Sequence, residues 1–93
     1  MKLKKVQKLR RELGKLRAQK FNLGEAELSG FAKKLGRWRL KKQTSEPQWI
    51  TDIPGLRPIS IPGHKAINPY TAASILDSFE MDLEYLEEHA ERD

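Results

Sequence analysis

The chain has 93 residues, enough for one domain with a small core and too few for a second. It holds no cysteine, which excludes a disulfide framework and a thiolate metal site, and no apolar run nears the ~20 residues of a membrane span. The net charge of +5 hides a split: residues 1–43 carry 15 lysines and arginines against three acids, whereas residues 44–93 carry three against ten. So large an asymmetry suggests a basic surface for an anionic partner, or two halves that neutralise each other in the fold. The basic N-terminal stretch lacks an apolar core region, so a secretory signal is not expected and a cytoplasmic protein is.

Residues 3–19 place Val6, Leu9, Leu13 and Leu16 on one helical face and surround them with Lys and Arg. An amphipathic helix this short is marginal alone and must dock on its own domain, on a second copy or on a charged surface. Asn22 followed three residues later by Glu25 has the form of a capping box. It opens a second helix whose apolar positions are Leu28, Phe31, Ala32 and Leu35, with Gly36 placed to end it.

Residues 37–42 alternate, with Trp38 and Leu40 expected on a buried face and Arg37, Arg39 and Lys41 on a basic one. A second strand is expected over 48–53 and a third over 57–61, separated by the turn signal Pro54-Gly55. Pro47 and Pro58 cannot donate to a ladder and belong at strand starts or an edge. Trp38 and Trp49 are expected to pack in the core and sheet. Pro62-Gly63-His64 then turns the chain into the best-marked helix start, with Asn68 as N-cap, Pro69 as first helical residue and Ile67 placed to staple onto Ala72. The last helix runs to about Glu88, and the acids at its far end oppose the macrodipole, which predicts fraying there.

The expected architecture is α+β: a three-stranded antiparallel meander packed by helices in the order α-β-β-β-α, with an extra basic helix in front. Residues 1–22 form that helix, 23–88 the α+β domain and 89–93 an acidic tail. No pair of His or carboxylate residues has metal-ligand spacing, and there is no phosphate loop, so no cofactor is expected. Of the two histidines, His64 lies in the corner and His89 in the acidic end.

Residues 36–42 leading into Thr44-Ser45, then Ile59-Ser60-Ile61-Pro62-Gly63-His64, then Thr71 with Ser74-Ile75-Leu76, resemble in order and spacing the HicA-type toxins of bacterial toxin–antitoxin systems. The resemblance spans roughly residues 25–79. It implies a fold similar to a double-stranded-RNA-binding domain, ribonuclease action on messenger RNA, and a HicB-like antitoxin as partner. The chain departs from the family where the catalytic histidine follows the serine: Glu46 stands after Ser45. RNA cleavage needs a base and an acid that exchange protons near neutral pH, and a carboxyl group that titrates near pH 4 is a poor donor there. The family's catalytic role is therefore not carried to position 46, and His64 corresponds to the family's fold-defining corner.

Three readings follow. The first is a HicA-like domain that binds RNA without cutting it, through Arg37, Arg39, Lys41, Lys42, Ser45 and Lys65. The second is a ribonuclease with a rearranged site, Glu46 acting as base with His64 or Lys41 assisting. The third is a protein-interaction module, monomeric or homodimeric, whose acidic last helix and basic first helix pair across a two-fold axis.

Overall fold

The computed structural model describes residues 1–41 and 46–92. Its elements are α1 (Leu3–Ala18), a 3₁₀ turn (Lys20–Asn22), α2 (Glu25–Lys34), β1 (Trp38–Arg39), β2 (Gln48–Ile50), β3 (Ile59–Ser60) and α3 (Pro69–Glu88). The sheet has the order β1-β2-β3 with both pairs antiparallel, so the α+β meander read from the sequence is the observed one.

The helix ends show how local chemistry and tertiary contacts divide the work. At the end of α2, Gly36 takes φ +91°, its N–H donates to Lys33 O at 3.0 Å and the Arg37 N–H donates to Ala32 O at 3.0 Å. That double closure is a Schellman motif, and it sets where β1 begins. At the start of α3, Asn68 Oδ1 accepts from the Tyr70 N–H at 2.8 Å and Pro69 fills the first helical position. Replacing Asn68 by Ala should cost about 1 kcal/mol, read as a shift of the urea midpoint with unchanged slope.

The capping box does not form. Asn22 belongs to the 3₁₀ turn, Gly24 is the N-cap of α2, and the Glu25 N–H is taken by His64 O at 2.9 Å. A backbone carbonyl from the corner thus satisfies the donor that a side chain was expected to satisfy. Ile67 N donates to Leu23 O at 2.8 Å on the other side of Gly24, so the corner lies flat against residues 23–25.

One core unites the elements. Phe31 and Phe79 meet at 5.1 Å between ring centroids, tilted by 52°, and Trp49, Ile59 and Ile61 close the cluster from the sheet. The N-terminal helix contributes Val6, Leu9 and Leu13 to the same core. It runs antiparallel to α3: Leu3 N donates to Glu91 O at 3.0 Å, while Arg17 at its other end meets Asp77 near the start of α3. Burying those three side chains is worth about 1.5–3 kcal/mol each, against roughly 0–1 kcal/mol for each exposed ion pair, so apolar contact holds the helix and charge sets its register.

The two basic and acidic helices pair within the chain. Arg10 reaches Glu87 at 2.7 Å and Glu80 at 3.5 Å, and Arg17 reaches Glu80 at 2.7 Å and Asp77 at 2.9 Å. Partial burial pulls the Arg17 guanidinium down, but hydrogen bonds to Asp77 and Glu80 and their charges outweigh it, leaving its pKa above the ordinary arginine value. A raised basic pKa contributes stability that is complete below the unfolded value and lost only as pH rises through the folded one. This clamp is therefore constant across any neutral or acidic range in which its acids stay charged. With Glu80 and Glu87 drawn toward Arg10, α3 stays helical to Glu88 despite its acidic end.

The free edge of β3 has a proline signature. Ile61 N donates to Pro47 O at 3.1 Å and Ile59 pairs with Trp49, so positions 59 and 61 turn their backbone groups toward β2. Positions 58, 60 and 62 then face outward, and two of them are proline, which has no N–H to expose. Only Ser60 offers a donor along that edge, which protects it from pairing with another strand.

Candidate nucleic-acid interface

The residues expected to contact RNA fall in different places. The register sets Arg39 opposite Trp49, and Trp49 opposite Ile59. Cross-strand partners share a face. Trp49 and Ile59 are buried against the helices, so Arg39, and with it Arg37 and Lys41, belong to the helix side of the sheet. The alternation read from the sequence is present, but the faces are exchanged.

Arg37 is therefore a correction. It is 4% exposed, and its Nε and Nη2 donate to the two oxygens of Asp82 at 2.6 and 2.8 Å. Its Nη1 donates to Trp49 O at 2.9 Å and Arg57 O at 3.1 Å. A guanidinium so fully engaged inside the core is not an RNA contact but the tie between β1, β2 and α3. A signal for this was available. Asp82 lies at the margin of the apolar stripe of α3, seven residues after Ile75 and beside it, where a buried carboxylate needs a cation.

Trp38 is the second correction. Expected in the core, it is 45% exposed on the side of the sheet away from the helices, whereas Trp49 is buried as expected. Arg39 and Lys41 are exposed at the β1 edge. Lys42 and Ser45 lie outside the described residues. Lys65 is exposed beside the N-terminal end of α2, in a shallow cleft with Glu25, Glu27 and His64. β1 leaves from the other end of that helix, about 15 Å along its axis, so Lys65 is not part of one patch with Arg39 and Lys41.

The residues assigned to catalysis are not brought together either. Glu46 lines a cleft of about 560 Å³ between β3 and α3, with Ser60, Thr71, Ser74 and Ser78 among its walls. His64 lines the separate cleft at the start of α2. His89 is exposed, with Nδ1 2.9 Å from Tyr85 O and its ring stacked on Tyr85. Among the described residues no group of three or more His, Asp or Glu is placed to hold a metal ion, and no helix is long and apolar enough to cross a membrane.

Sequence reasoning missed how the cations of α1 divide. Arg10 and Arg17 point toward α3 and are paired, and Glu12 pairs with Lys34 of α2 at 3.3 Å. Lys8, Arg11 and Lys15, at i, i+3 and i+7, form a row on the face opposite Leu9 and Leu13. All three are exposed, and among the described residues none of them is in an ion pair. Lys4 continues the row one turn earlier. Helical phase holds this information: Arg10 and Arg17 lie more than 90° from the row, on the flank that meets α3. Comparison with protein-family models, with curated proteins and with solved structures finds no match to this chain.

Proposed function

We propose that this protein is a HicA-like RNA-binding domain that holds RNA through its phosphates. The observation that carries the reading is the row of Lys8, Arg11 and Lys15 on the solvent face of α1, which joins no ion pair among the described residues once the flanking arginines are taken up by α3. A repeating cation spacing along one rigid helix suits a polyanion, because each side chain meets a successive phosphate while the helix keeps its register. Arg39 and Lys41 at the β1 edge add two further cations. The sequence resemblance selects RNA among polyanions. The groups that would have joined two copies, basic α1 and acidic α3, are already engaged with each other inside one chain, which weakens the dimer reading. The ribonuclease reading pairs Glu46 with His64 or Lys41, and Glu46 and His64 line different clefts, which leaves Lys41 as its assisting group.

The test is anisotropy of a labelled RNA oligonucleotide titrated at several salt concentrations. Each lost phosphate contact lowers the slope of log affinity against log salt by about 0.7–0.9, so changing Lys8, Arg11 and Lys15 together to Gln should lower it by about 2–3. An unchanged slope would remove the row from the interface. A denaturing gel of the same samples reads cleavage, and cleavage abolished by Glu46→Gln would return the ribonuclease reading to first place.

A further inference from the structure

We propose that the outer face of the sheet is a stacking platform for single-stranded RNA, with Trp38 as the group on which a base lies. This rests on the RNA-binding reading and names the form of RNA and the residue that selects it. The register that buries Trp49 and Ile59 puts Trp38 opposite Ile50, and Gln48 opposite Ser60, on the other face. Leu40 N donates to Gln48 O at 2.8 Å, which continues the pairing and adds Leu40 to that face. The residues of this face are exposed or half-buried, so it lies open in the described structure.

The chemistry of the face favours a nucleobase. An indole is the flattest apolar surface a side chain offers, and every base has a π-face to lay on it, whatever the sequence. Beside the indole, the Gln48 side-chain amide donates to the Ser60 hydroxyl. That bond leaves the Gln48 carbonyl oxygen as an acceptor and the Ser60 O–H as a donor for the edge of a stacked base. Arg39 and Lys41 alternate with Trp38 and Leu40 along the edge strand and so turn to the opposite side of the sheet, exposed at the rim where the platform ends. A duplex keeps its bases stacked inside and cannot use an exposed indole, so the platform selects unpaired strands.

The two tryptophans make the proposal measurable, since Trp49 is buried and Trp38 is not. A single-stranded oligouridylate should quench the emission of the native protein, and the quench should vanish in Trp38→Phe, whose remaining emitter is Trp49. Trp38→Ala should weaken single-stranded binding by about 5- to 150-fold, Trp38→Phe by much less, and duplex binding should be the same for all three. Circular dichroism of each variant checks that the fold is retained, and the Phe variant serves if the Ala variant does not fold. Salt-dependent RNA binding with no quench and no loss in Trp38→Ala overturns the platform and leaves the RNA-binding reading standing. A change in self-association on sedimentation, with RNA affinity unaltered, also overturns it and makes the face a protein contact. No RNA binding at low salt removes both.

Discussion

Asp82→Asn should destabilise the protein by about 3–5 kcal/mol, because it strands a buried guanidinium without its counter-charge. The side chains of Arg37 and Asp82 are 2% and 4% exposed, so no solvent is at hand to take over the lost interaction. A chain of 93 residues has a total stability of roughly 5–14 kcal/mol, of which this loss is about a fifth or more. Urea denaturation followed by far-ultraviolet circular dichroism measures it directly. The double change Arg37→Met with Asp82→Leu should recover most of the loss, since replacing both members of a buried pair by apolar groups of similar volume is near neutral. Recovery would show that the pair sets which face of β1 turns inward more than it adds net stability. A loss below 1 kcal/mol in Asp82→Asn would mean that water reaches the pair.

Gly24→Ala is expected to be the most damaging of the glycine substitutions, at about 2–3 kcal/mol. A Cβ at this position would overlap Lys65 O and stand 2.7 Å from its carbonyl carbon, both backbone atoms that cannot swing aside. Its φ of −128° is open to any residue, so the effect is steric and not conformational. The corner has to retreat, and with it go the Glu25 N–His64 O and Ile67 N–Leu23 O bonds on either side. Gly14→Ala is the control. Nothing lies within 4 Å of its Cβ, it sits mid-helix in α1, and it should stabilise by up to about 1 kcal/mol. Thermal melts of the two variants should therefore move in opposite directions. Equal small shifts would show that the corner is not held against α2 in solution.

These two sites mark the boundary between what is written locally and what is not. Neither the close approach at Gly24 nor the pairing of Arg37 with Asp82 is settled locally, because each takes its meaning from a partner some 40 residues away. The same is true of the interface. Arg39 and Lys41 were legible as exposed cations, but the row on α1 emerges only once Arg10 and Arg17 are consumed by α3.

The sequence by itself determined the order of elements, the meander, the Asn68-Pro69 start of α3 and the Gly36 stop of α2. Those features are settled within a few residues, by a cap, a fixed φ or a freely reached left-handed turn, and no distant contact is needed to satisfy them. Only the tertiary structure decided that Arg37 is buried and Trp38 exposed, and that the Glu25 N–H is capped by His64 and not by Asn22. A period of two tells which residues share a face but not which face is covered. Here a buried carboxylate at position 82, at the margin of an apolar helix face, draws the arginine inward and leaves the tryptophan to the solvent.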